Sequence, residues 1–183
     1  MPLIEIKGLT KKFGNLTAVD GLSLSVEAGE IFGFLGPNGA GKTTTLKMMA
    51  GLIRPTSGGV SIDGHDILKE PAEAKSVMGY VPDRPFVYEK LTALEFMRFI
   101  GGLYSMDQAE AGPRSEEFLS LFGLSDWKDE LVEGFSHGMR QRLVMAAALL
   151  HRPKVLVVDE PLVGLDPRGV RLLREVFLSL KSE

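Results

Sequence analysis

Apolar and polar residues alternate along Ile4-Glu5-Ile6 and again along Leu22-Ser23-Leu24-Ser25-Val26, a period of two that predicts half-buried antiparallel strands. Gly58-Gly59-Val60-Ser61-Ile62-Asp63-Gly64 predicts another strand bounded by glycines, and Val77–Val81 a further one ended by Pro82-Asp83. Two runs do not alternate. Ile31-Phe32-Gly33-Phe34-Leu35 reads as a short buried strand, and Val155-Leu156-Val157-Val158 as a central parallel strand covered on both faces. Helical segments are predicted over Thr43–Ala50, ended by Gly51, and from the capping-box sequence Thr92-Ala93-Leu94-Glu95 to near Leu103. Gly112-Pro113 is expected to break any helix begun near Asp107, with Ser115–Phe122 resuming one that Gly123 stops. Gly138–Leu150 is apolar nearly all round in its second half, so that helix should be buried at its C-terminal end. Asp166-Pro167 reads as an N-cap followed by proline at the first helical position, opening a closing helix that runs to near Lys181. The stretch 92–134 is thus a helical insert in a chain of strands and helices, without internal repeats or low-complexity segments.

Chemistry enters at residues 36–43, Gly-Pro-Asn-Gly-Ala-Gly-Lys-Thr, which fit G-x-x-x-x-G-K-[ST] between a predicted strand and a predicted helix. A strand, a glycine-rich turn and a helix start make an anion site, because the turn amides and the positive end of the helix dipole converge on one point. Gly36, Gly39 and Gly41 allow the backbone to approach phosphate oxygens, Lys42 supplies a positive charge to β- and γ-phosphates, and Thr43 offers a hydroxyl to Mg²⁺. Asp159-Glu160-Pro161 ends the 155–158 run. Adjacent carboxylates at the end of a buried strand are costly unless they are used. In phosphoryl transfer the first holds Mg²⁺ and the second orients and deprotonates the attacking water.

Phe135-Ser136-His137-Gly138-Met139-Arg140-Gln141-Arg142 resembles the signature segment of ATP-binding cassette (ABC) ATPases, usually Leu-Ser-Gly-Gly-Gln and a basic helix start. Val163-Gly164-Leu165-Asp166 resembles the loop after their catalytic Glu. The resemblance runs from Leu3 over nearly the whole chain and is similar to exporters of the multidrug or antibiotic-resistance type. It implies one α/β domain over residues 1–183, a P-loop NTPase of ABC type: a mostly parallel core sheet, an antiparallel β subdomain and the 92–134 helical subdomain. It also implies an ATP and Mg²⁺ site. Phe13, Gly36, Pro37, Asn38, Gly39, Ala40, Gly41, Lys42, Thr43, Thr44, Ser136, Gly138 and Asp166 would contact nucleotide. Thr43, Asp159 and Asp83 would meet the metal, and Glu160, Asp83 and Lys42 would carry the chemistry. The partners implied are a second copy of the chain, head to tail, and a transmembrane permease that places the protein on the cytoplasmic face of a membrane. A non-transport ABC ATPase of translation or chromosomes is the alternative; the long heptad insert of the chromosome type is absent from 92–134.

Several positions carry two readings. Phe13 is either core or, by the resemblance, an adenine-stacking ring. Asp83 stands where the family usually has Gln; it is either a turn Asp after proline or a hard oxygen near Mg²⁺ and water. Ser136 is a good N-cap and also matches a γ-phosphate contact of the family, and both can hold together. His137 reads as an exposed neighbour, His65 and His151 as surface or packing residues, and Trp127 and Tyr104 as core or partner-facing. The family also carries a γ-phosphate-contacting His, a few tens of residues beyond the Glu, on a strand between those of 31–35 and 155–158. The sequence stops at Glu183, so that strand and His are expected to be missing, at a cost in stability and activity.

Bulk properties add limits. At 183 residues and a formal charge of −3, the chain suits one domain without the basic face of a nucleic-acid binder. It has no cysteine, so disulfides and thiolate-bound metal are excluded. The N-terminus lacks a signal-peptide pattern. The longest uncharged apolar run, Leu143–Leu150, falls far short of the roughly 18 residues of a membrane span, so a membrane role needs a partner.

Overall fold

The computed structural model describes residues 2–160 and 167–180. In chain order it contains β1 (Ile4–Phe13), β2 (Leu16–Val26), α1 (Lys42–Met49), β3 (Ser57–Ile62), β4 (His65–Asp66), α2 (Pro71–Ser76) and β5 (Met78–Val81). These are followed by α3 (Ala93–Leu103), α4 (Gln108–Leu121), α5 (His137–Leu149), β6 (Val155–Val158) and α6 (Pro167–Leu180). β1 lies antiparallel between β2 and β3, and β4 completes a sheet of order β2-β1-β3-β4. The predicted antiparallel strands are therefore present, longer than their alternation implied.

β5 and β6 pair in parallel, Met78 with Val155 through to Val81 with Val158. The two faces of this pair separate two cores. Met78, Val155 and Val157 pack with α1 and the antiparallel sheet; Val81, Leu156 and Val158 pack with the helices of the insert, α5 and α6. Burial on both faces explains why 155–158 carries no polar residue. Gly79 is where α5 comes closest: a Cβ there would lie 2.4 Å from the Ala148 carbonyl oxygen.

The expectation for Ile31–Leu35 is corrected. The segment forms no strand, and Ile31, Phe32 and Leu35 are 64, 51 and 96% exposed. Its apolar pattern suits a strand with neighbours on both sides, but among the described residues no strand pairs with it and β6 pairs with β5 alone. Backbone amides without a ladder partner gain nothing from an extended, buried arrangement.

A second correction concerns α4, which runs unbroken through Gly112-Pro113. Proline inside a helix removes one hydrogen bond and crowds the preceding turn, at a cost of about 3 kcal/mol. Here tertiary contacts outweigh it. Asp107 caps the helix through Ala109 N–H (2.9 Å), and Ala111, Ser115 and Leu119 are buried on its inner face. Arg114 Nε donates to the Leu150 carbonyl at 3.0 Å, pinning α4 to the end of α5. The Thr92 capping box of α3 and the Ser136 N-cap of α5 are both present as predicted.

Where the insert meets β5, the rings of Tyr104 and His151 stack at 3.6 Å and His151 Nε2 lies 3.3 Å from the Met78 carbonyl. Both residues are thus packing residues. Burial lowers the His151 pKa below its ordinary value, and the Met78 bond only partly offsets this. The unfolded chain therefore binds the proton more readily than the fold does. The contribution is complete above the ordinary pKa near 6.5 and is lost as pH falls below it. Denaturant midpoints taken between pH 7.5 and 5.5 should fall more for the native protein than for His151→Phe; parallel curves would show that this imidazole does not titrate with unfolding.

Candidate active site

Three chain segments meet at the N-terminus of α1. The 36–41 turn closes on itself through Ala40 N–H to the Pro37 carbonyl (3.2 Å). Lys42 Nζ donates to the carbonyls of Gly36 (2.6 Å) and Pro37 (2.9 Å), spanning the turn. Gly41, the residue before α1, has φ 85°, and a Cβ on it would sit 2.3 Å from the Ala18 carbonyl oxygen of β2. Both facts require glycine: the left-handed backbone disfavours a side chain, and β2 passes directly behind the turn. Thr45, one turn into α1, ties its hydroxyl to the Gly41 carbonyl at 2.9 Å and is buried.

The sequence-distant half is joined by one bond. Thr43 Oγ1 donates to Asp159 Oδ1 at 3.2 Å, across 116 residues. Asp159 is 3% exposed, its N–H donates to the Val81 carbonyl, and its second oxygen, Oδ2, is buried without a partner. Among the described residues no three His, Cys, Asp or Glu cluster to hold an ion by themselves. A threonine hydroxyl beside a carboxylate with a spare buried oxygen is a hard-oxygen pair. These two residues would suit a hard cation such as Mg²⁺. Glu160 is exposed and sits at φ 51°, a left-handed conformation that a non-glycine residue adopts at a cost of roughly 1–2 kcal/mol. Asp83 is half-buried just past β5, as Glu160 lies just past β6, so both acids stand at the carboxyl ends of parallel strands.

Tyr80 was not singled out from the sequence. It pairs with Val157 across the ladder, on the face that carries Met78 and Val155. Side chains two apart on a strand share a face, so the register aims Tyr80 to the side on which Asp159 meets Thr43. Its hydroxyl is buried and unpartnered. Burial pushes its pKa up to about 12, and the negative charges of Asp159 and Asp83 add to the effect. The signal in the sequence was strand parity: positions 78 and 80 on β5 share a face with 155 and 157 on β6, and 159 follows just past the end of β6 with the same parity.

The other expected residues lie apart from this cluster or outside it. The Phe13 ring is 49% exposed at the tip of the β1–β2 hairpin, with Lys11 Nζ 4.8 Å from its centroid, so the core reading is removed. Ser136 Oγ accepts from Met139 N–H at 3.3 Å and caps α5. Among the described residues no hydrogen bond joins Ser136 or Gly138 to the 36–43 turn. Arg140 is occupied structurally, by the Phe135 and Glu133 carbonyls and by Glu89 Oε1 at 2.8 Å. Asn38 and Ala40 are exposed on the turn, and Thr44 is half-buried. His137 is exposed, and His65 pairs with Glu70 at 3.3 Å on the surface. Asp166 lies outside the described residues.

The profile of the ABC transporter family matches residues 19–163. The chain belongs to the ABC transporter family. Among its relatives, the linearmycin resistance ATP-binding protein LnrL of Bacillus subtilis is 42% identical over 98% of this chain and 58% of its own length. The daunorubicin/doxorubicin resistance ATP-binding protein DrrA of Streptomyces peucetius is 43% identical over 97% of this chain and 54% of its own. The chain thus spans a little over half the length of these ABC relatives. Among solved structures, an ATP-binding subunit of an ABC transporter aligns with a TM-score of 0.91 at 32% identity, over 98% of this chain and 75% of that one. CbiO1 of Clostridium perfringens, part of the ABC transporter complex cbiONQ, aligns with a TM-score of 0.81 at 27% identity over the same shares. The α/β ABC-type fold expected from the sequence is therefore the observed one. Among the described residues no helix is long and apolar enough to cross a membrane.

Proposed function

We propose that this chain binds and hydrolyses ATP as the nucleotide-binding part of an ABC transporter, driving export through a transmembrane permease. The observation that carries the reading is the Thr43–Asp159 bond, which closes a phosphate-binding turn onto an acidic strand end. The relatives named for drug and antibiotic resistance support export as the direction of transport.

In this reading the turn amides, the α1 N-terminus and Lys42 bind the phosphates. Lys42 exchanges its carbonyl partners for phosphate oxygens, a gain because a charge-assisted bond to an anion is stronger than one to a neutral carbonyl. Thr43 and Asp159 hold Mg²⁺, which supplies positive charge to the β- and γ-oxygens. Glu160 accepts a proton from the attacking water. Asp83, shorter and more acidic than the usual Gln, faces the same strand ends. Phe13 offers an exposed ring for the adenine. Ser136 and Gly138 contact ATP on a second copy arranged head to tail. The accessible Ser136 at the positive end of α5, without a bond to its own phosphate turn, supports that arrangement.

Co-expression with a candidate permease tests the reading. MgATP should bind, the pair should co-purify at the membrane periphery, and transported substrate should stimulate ATP turnover. Absence of MgATP binding at millimolar nucleotide overturns it.

A further inference from the structure

Two buried polar atoms on one face of the β5–β6 pair lack partners: the Tyr80 hydroxyl and Asp159 Oδ2. One is a donor and the other an acceptor. A buried polar atom without a partner costs free energy and calls for a cause. Their elements place them together. Tyr80 stands opposite Val157, two residues before Asp159, and Asp159 N–H is bonded to the Val81 carbonyl, next to Tyr80 in the chain. The opposite oxygen of the same carboxylate is already held by Thr43.

We propose that Tyr80 is a positioning residue for the Asp159 carboxylate, its hydroxyl donating through one bridging water to Oδ2 and so fixing the plane in which that carboxylate meets Mg²⁺. The two atoms make no direct hydrogen bond, and a water is the small group able to satisfy a buried donor and a buried acceptor at once. A phenol remains a donor at neutral pH on its ordinary pKa alone. Thr43 on one oxygen leaves the carboxylate free to rotate about its Cβ–Cγ bond; a second tether on the other oxygen removes that freedom. Outer contacts of this kind set metal affinity, and their loss typically weakens it by about 10–100-fold. The negative charge of Asp83 also bears on the same hydroxyl.

The inference rests on the reading of Asp159 as a Mg²⁺ ligand, and the test separates the two. Affinity for a fluorescent ATP analogue is measured on the full chain across a Mg²⁺ titration and in EDTA, for the native protein, Tyr80→Phe, Asp159→Asn and Tyr104→Phe. Tyr80→Phe should raise the half-saturating Mg²⁺ concentration by about 10–100-fold. Its affinity in EDTA should be native, because the metal-free phosphate turn makes no contact with the hydroxyl that is removed. Asp159→Asn should abolish most of the Mg²⁺ dependence, and Tyr104→Phe should leave it unchanged. Native Mg²⁺ dependence in Tyr80→Phe with a lost dependence in Asp159→Asn overturns the role of Tyr80 and leaves the metal reading standing. Native dependence in both overturns both. Equal weakening of binding by Tyr80→Phe in EDTA and in Mg²⁺ would make Tyr80 a packing residue and also overturns the proposal.

Discussion

Glu160→Gln is expected to slow ATP turnover by about 10²–10⁴-fold while leaving MgATP binding close to native. The substitution keeps the shape of the side chain and removes only its capacity to take a proton. Glu160 is exposed beyond the end of β6 and makes none of the bonds that shape the phosphate turn. The Lys42 bridges and the Thr43–Asp159 bond should survive it, so binding and chemistry separate. Two copies that close on ATP and cannot cleave it should then accumulate as a nucleotide-bound dimer. Phosphate release in the permease-bound assembly, measured beside nucleotide binding and size-exclusion chromatography, reports both halves. Near-native turnover would place the base elsewhere, with Asp83 at the end of the neighbouring strand the next residue to test.

The readability of this chain follows from how local each signal is. The 36–43 turn was legible because its chemistry is written in consecutive residues, and Gly41 is needed there by two local facts, its positive φ and the Ala18 carbonyl behind it. The Thr92 and Ser136 caps were legible for the same reason. The 155–158 strand was legible because burial on both faces leaves an unbroken apolar run. The failures are non-local. The pattern of 31–35 specifies what such a segment can do beside neighbouring strands, and carries no information on whether they pair with it; with no strand paired to it among the described residues, Leu35 is almost wholly exposed. Pro113 is a sound local stop signal that lost to the Asp107 cap, the Arg114 bond to Leu150 and the buried face of α4. Tyr80 looked like one more apolar strand residue. Its interest appears only once the parallel register places it opposite the residues leading to Asp159, and register is a property of two segments far apart in sequence.

Lys42→Ala is expected to weaken MgATP binding by about ten- to a hundred-fold. A hydrogen bond to a charged group contributes roughly 1.5–3 kcal/mol, and each 1.4 kcal/mol is a factor of ten in affinity. The geometry adds a reason for the effect to be specific to nucleotide. Lys42 Nζ now bonds the Gly36 and Pro37 carbonyls, which are neutral and remain open to solvent when the amine is removed. The turn itself is held by the Ala40–Pro37 bond and by Gly41 against β2, and α1 by its buried residues Thr45, Leu46, Met48 and Met49. Melting temperature without nucleotide should therefore change little, while the stabilisation that ATP confers should shrink with the lost affinity. The loss should also be smaller at high salt, because part of the attraction between an accessible ammonium and phosphate is screened. Calorimetric titration of MgATP into both proteins at two ionic strengths measures the affinities, and thermal melts with and without nucleotide measure the stabilities. Unchanged affinity in Lys42→Ala would remove the assignment of residues 36–43 as the phosphate site, since no other Lys or Arg is carried by that turn.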